Sequence, residues 1–274
     1  HNRKHSFPTR RSSDLSRFPG LSDDLAFFEN AGGSVPADGV VERAASYLAR
    51  DMVQLGAGYP RSRRAGERVE AGKRAAAALV GATPDEVVLG ASTTQNLQVL
   101  ARAFAGRVGP GDEIVVSALD HEANRAPCIR LAAARGATLR EWAPDPGSHE
   151  LTMAGLEAVL TARTKLVAFT HCANVVGAIH DARALVKRIH GAGARAVIDG
   201  VAFAPHRRVD VAALGADAYA LSLYKVYGPH LGLLHVRGDF LPELDNQNHP
   251  FLAGTGTYEL MPGNVSHELA AALP

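Results

Sequence analysis

Short apolar runs alternate with helical stretches along almost the whole chain, and this alternation dictates the fold class. The runs are EVVLG (86–90), EIVVS (113–117), KLVAFT (165–170), RAVI (195–198), AYALS (218–222) and GLLHV (232–236). Each is nearly continuous in apolar residues, as strands buried on both faces are. Between them lie segments of helical spacing. AGERVEAGKRAAAALVG closes at Gly81, and STTQNLQVLARAFA opens on hydroxyl N-cap candidates. NRAPCIRLAAARG closes at Gly136, and DARALVKRIHGAG starts at Asp181. The pattern predicts an α/β fold in three layers, a mostly parallel central sheet with helices on both faces.

Composition agrees with a packed enzyme-sized domain. Of 274 residues, 46% are hydrophobic and 21% charged, enough to build a core. A net charge of +1 offers no footprint for nucleic acid or an anionic membrane. No apolar run approaches membrane-spanning length. The two cysteines, Cys128 and Cys172, are far apart in sequence. That usage argues against a disulfide framework and fits a reducing compartment, so a cytoplasmic location is expected.

Ligands of such sheets collect beyond the carboxyl ends of the strands, so the residues just after each strand are the ones to search. After EVVLG comes ASTTQN, where Thr93 and Thr94 open a helix whose free N–H groups suit a phosphate. The same residues also suit an ordinary N-cap. No G-K-[ST] follows, and G-x-G-x-x-G is absent, so neither a Walker loop nor a dinucleotide site is supported. After EIVVS comes His121, placed to stack on a flat ring or to move protons, or else a plain surface histidine. After KLVAFT comes Asn174, beside His171 and Cys172, and Cys172 reads as a buried structural thiol. Asp199 closes RAVI. A metal pair of Asp199 with His206 lacks further ligands at a recognisable spacing, so no metal is expected.

Lys225 follows the AYALS strand inside SLYKVYGPHLG, between Tyr224 and Tyr227. An apolar-flanked lysine is costly to bury as a cation. At a dry strand end its amine is biased towards the neutral, nucleophilic form that Schiff-base chemistry needs. A phosphate cup, a ring-sized neighbour, a carboxylate and an amine on the strand ends of one sheet are what pyridoxal phosphate requires.

The blocks STTQN, DHEAN, THCANVVG and VIDGVAFAPHRRVDVAALGADAYALSLYKVYGP resemble the class V aminotransferase family of pyridoxal-phosphate enzymes (fold type I). Within it they resemble the cysteine desulfurase/selenocysteine lyase branch, and the resemblance runs from about Phe18 to Asn264. It implies that Lys225 carries the cofactor, Asp199 pairs with the pyridine nitrogen and His121 stacks on the ring. Thr93, Thr94 and Ser222 would hold phosphate, and Asn174 would lie beside the ring oxygen and the substrate carboxylate. It also implies a homodimer, a small amino-acid substrate and a sulfur acceptor protein. Two positions depart from the pattern. Ala202 stands where a glutamine is usual, and Tyr224 where desulfurases often have histidine, its hydroxyl within reach of phosphate. Neither cysteine matches the desulfurase nucleophile, which with the carboxylate-binding arginine is expected beyond residue 274. Desulfurase-like Cβ–S/Se lysis therefore stands beside other class V reactions, transamination or epimerisation, and beside a non-catalytic binding protein that keeps the fold.

The implied organisation has four parts. Residues 1–15, basic and Ser-rich, read as a foreign or disordered tail, with a transit peptide as the other reading. Residues 16–45 are expected to be an N-terminal segment of a small domain, and 46–262 a large cofactor-binding domain. Residues 263–274 are expected to begin a truncated C-terminal domain, and an incomplete chain need not be active by itself.

Overall fold

The computed structural model describes residues 15–21 and 27–274. The expected tail, Leu15 apart, lies outside them. Seven strands form one sheet: β1 (Val87–Gly90), β2 (Glu113–Ser117), β3 (Thr138–Trp142), β4 (Thr164–Thr170), β5 (Arg195–Asp199), β6 (Ala218–Ser222) and β7 (Gly232–Val236). Their spatial order is β1-β7-β6-β5-β4-β2-β3. Strands β3, β2, β4, β5 and β6 are parallel, and β7 runs antiparallel to both of its neighbours. The carboxyl ends of β1, β2, β4, β5 and β6 therefore line one edge, and β7 begins there.

Among the described residues eight helices accompany the sheet: α1 (Asp38–Arg50), α2 (Pro60–Val80), α3 (Thr93–Ala103), α4 (Glu122–Arg135), α5 (Met153–Val159), α6 (Ala182–His190), α7 (Val211–Leu214) and α8 (His267–Ala270). Their ends follow the expected chemistry. Gly81 and Gly136 close α2 and α4 in the left-handed conformation, with φ of 72° and 68°. Ser92 and Asp181 cap α3 and α6 by accepting from the N–H groups of Gln95 and Ala184.

The core lies on both faces of the sheet because successive strand residues point opposite ways. In β4, Val167 and Phe169 join one cluster with Trp142, Ile189 and Tyr219, whereas Leu166 and Ala168 join the other with Phe104, Leu131 and Phe240. Phe169 is fully buried. Truncating such a side chain to alanine costs about 3–5 kcal/mol.

Strand β3 and helix α5 have no counterpart among the apolar runs. The β3 sequence TLREW is mostly exposed, since it forms the sheet's edge beyond β2. Among the described residues no helix is long and apolar enough to cross a membrane.

Candidate active site

Thr93, Thr94, His121, Asn174, Asp199, Ser222, Tyr224 and Lys225 all line one cleft of about 90 Å³ at the carboxyl edge of the sheet. They come from five segments, each ending or following a strand that shares this edge.

One wall of the cleft is the N-terminus of α3. Thr93 and Ser222, both nearly inaccessible to solvent, join hydroxyls at 2.8 Å. Strand β7 passes directly beneath. A Cβ on Gly232 would lie 2.3 Å from the Ser92 carbonyl carbon and 2.4 Å from the Thr93 nitrogen, so glycine is what permits the approach. The unpaired N–H groups of the first helical turn and the threonine hydroxyls form a donor set for an anion.

His121 is the N-cap of α4 and is exposed to the cleft. Its Nδ1 accepts from the Ala123 N–H at 3.1 Å, so the ring's proton rests on Nε2. The capping bond holds the ring in place and leaves it free to stack.

Asp199 ends β5, 4% exposed, with one carboxylate oxygen accepting from the Val201 N–H at 2.8 Å. Burial raises its pKa, while the Val201 bond and the charges of His121 and Lys225 pull it down. A cationic ring nitrogen set against it would compensate the lost solvation. Behind it, His171 stacks on Phe203 with centroids 3.6 Å apart, and its Nδ1 lies 3.0 Å from the Tyr219 hydroxyl. Burial takes the His171 pKa down to about 4, so this backing is neutral.

Lys225 ends a 3₁₀ turn, Leu223–Lys225, immediately after β6. It is half-buried, which corrects the expectation of a dry lysine: the turn lifts its side chain off the sheet and into the open cleft. The turn is tied down from far away in sequence. Ser34 donates its N–H and its hydroxyl to the Tyr224 carbonyl at 2.9 and 2.8 Å, and accepts from the Tyr227 N–H at 2.7 Å. Tyr227 holds a left-handed φ of 65° there. Tyr224 lines the cleft with its ring stacked 4.4 Å from that of His230.

Two features escaped the sequence reading. Asp120 is buried beside His121, where it accepts from the Asn124 side-chain amide at 2.9 Å and from the Ser117 hydroxyl. Burial pushes its pKa up to about 7, and the nearby Asp199 carboxylate adds to the rise. Cys172, expected to be buried, is half-buried in the cleft wall, because the chain turns outward straight after β4. Burial nonetheless raises its pKa, which keeps it a thiol and a poor nucleophile. His206 lies outside the cleft, and among the described residues no cluster of three or more His, Cys, Asp or Glu could hold a metal.

Known proteins resemble the chain in sequence and in fold. The chain is 40% identical over 265 residues to the aminotransferase-like protein FGM3 of Gibberella zeae, covering 94% of this chain and 65% of that protein. It is 35% identical over 226 residues to the cysteine desulfurase-like protein ustD of Aspergillus flavus, covering 80% of this chain and 51% of that protein. A cysteine desulfurase structure from Thermococcus onnurineus superposes with a TM-score of 0.88 at 25% identity, over 96% of this chain and 68% of that one. The chain thus spans about half to two thirds of the length of these relatives. The aminotransferase class-V family profile matches residues 26–267, and the chain belongs to that family.

Proposed function

We propose that this chain binds pyridoxal phosphate through Lys225 and acts on an α-amino acid as a cysteine desulfurase-like Cβ–S or Cβ–Se lyase. The observation that carries the reading is the meeting, in one cleft, of an amine, a buried carboxylate, an open imidazole and a hydroxyl-lined helix N-terminus. The family is pyridoxal-phosphate-dependent, and the residues present fit the cofactor.

When bound, pyridoxal phosphate supplies an electron sink for negative charge at the substrate Cα. Thr93, Thr94 and Ser222 would donate to its phosphate. Asp199 would keep a proton on the ring nitrogen. His121, with its proton on Nε2, would cover the ring face and relay a proton to the reacting carbon. Lys225 would hold the cofactor through Nζ, and its amine would move a proton at the substrate Cα. Asn174 would bond the ring oxygen and the substrate carboxylate.

A second reading, transamination or epimerisation, draws support from Ala202 and Tyr224, which depart from the desulfurase pattern and both line the cleft. A homodimer, a small amino-acid substrate, a sulfur acceptor protein and a cytoplasmic location belong to the same proposal, the last supported by the two free cysteines.

The test is a visible spectrum of the purified chain after addition of pyridoxal phosphate, beside Lys225→Ala. A borohydride-reducible chromophore in the wild type alone supports the reading. A folded wild-type sample with no chromophore overturns it and favours a non-catalytic binding protein.

A further inference from the structure

A second cavity of about 470 Å³ adjoins the Lys225 cleft. Five residues line both: Cys172, Asn174, Val201, Ala202 and Lys225. Ala202 presents only a methyl at the junction, so nothing bulky from that position separates the two spaces.

The walls of the second space are largely apolar. They include Ala31, Ala173, Ile179, Phe203 and Pro205. Phe203 is held rigidly by its stack on His171, and its carbonyl accepts from the N–H groups of His206 and Arg207, both at 3.1 Å. The turn after β5 therefore builds floor and rim together.

Charge on the lining is one-sided. Lys225 stands at the junction, and His206 and Arg207 also line the space, while among the described residues no carboxylate lines it. Arg207 is exposed and forms no ion pair among the described residues. An unanswered guanidinium at the edge of an apolar chamber is suited to a carboxylate at the end of a hydrocarbon chain.

We propose that this chamber is a substrate side-chain subsite, and that it selects α-amino acids whose apolar side chain ends in a carboxylate bound by Arg207. The inference rests on the pyridoxal-phosphate reading above, and it extends the substrate beyond the small amino acids that the family resemblance implies. Side-chain methylenes packed against Phe203, Ile179 and Pro205 would leave water, and a side chain lacking the terminal anion would leave Arg207 unanswered.

Calorimetric titration of the cofactor-loaded chain with L-alanine, L-norleucine and L-2-aminopimelate tests it, with the visible spectrum recorded on the same sample. The expected order is 2-aminopimelate tightest, by about 10-fold or more over alanine, with norleucine between. Arg207→Gln, a surface change compatible with folding, should bring 2-aminopimelate to the affinity of norleucine. Ala202→Phe should remove the preference for both longer side chains. A loaded sample in which alanine binds as tightly as 2-aminopimelate overturns the subsite and leaves the cofactor reading standing. So does a preference for 2-aminopimelate that survives Arg207→Gln. A wild-type sample with no chromophore overturns both.

Discussion

The hydroxyls of Thr93 and Ser222 meet at 2.8 Å across 129 residues of sequence. One is the first residue of the helix after β1, and the other ends the strand that carries Lys225. The pair joins the anion-binding end of the cleft to its amine end.

Thr93→Val keeps the side-chain shape and removes one donor. Loss of a hydrogen bond to a charged group costs about 1.5–3 kcal/mol, so the affinity for pyridoxal phosphate should fall roughly 10- to 100-fold. Pyridoxal, which lacks the phosphate, should bind the variant and the wild type equally. Equilibrium dialysis with both ligands measures this, and an equal loss for pyridoxal would count against the phosphate assignment.

Gly232→Ala should destabilise the chain by about 1–3 kcal/mol, because the added methyl meets backbone atoms that cannot swing aside. The clash falls on Ser92 and Thr93, so phosphate binding should weaken as well. Thermal melts with and without inorganic phosphate report both effects.

Asp120 makes stability depend on pH in an unusual sense. Its folded pKa of about 7 lies above the ordinary 3.8, so the folded chain binds the proton more tightly than the unfolded one. The stabilisation is complete below the ordinary value and is lost as pH rises through about 7. Asp120→Asn can still accept from Asn124 and can donate to Ser117, and it no longer titrates. Its stability at neutral to alkaline pH should exceed that of the wild type, by at most about 4 kcal/mol. Urea unfolding across this pH range is the measurement, and parallel curves for the two proteins would refute the assignment.

Asp217 behaves in the opposite way. It is fully buried at the far end of the sheet, within 2.7 Å of His190 Nε2, 3.0 Å of Arg195 Nη1 and 2.9 Å of Arg237 Nη2. These partners hold its pKa below the ordinary range against the desolvation that would raise it. Its contribution is present above the ordinary carboxylate pKa and is lost as pH falls through the depressed one. Asp217→Ala removes the buried carboxylate that Arg195 and Arg237 share, leaving them their outer partners Glu243 and Asp239, and should cost about 3 kcal/mol, read from urea midpoints at neutral pH.

The sheet was legible because burial on both faces writes itself as an apolar run. Strand β3 was not, because an edge strand carrying Arg140 and Glu141 needs no such run. The reversed direction of β7 is not written in its apolar residues. It is implied by residues 223–231, a connection too short for the crossover that parallel strands require. At the site, Thr93, His121, Asp199 and Lys225 could be picked out because each follows its strand directly. Asp120 and Ser34 could not, since their significance lies in partners: a second carboxylate brought near by β5, and a turn far along the chain.

The grip of Ser34 on Tyr224 and Tyr227 spans 190 and 193 residues. Loop closure over such a distance comes late in folding, after local helices and neighbouring strands have formed. A ribosome would have to deliver the β6–β7 connection before the lysine turn could be fastened. The lysine turn is thus fastened near the end of folding, so a half-made chain presents Lys225 as one more loose surface amine.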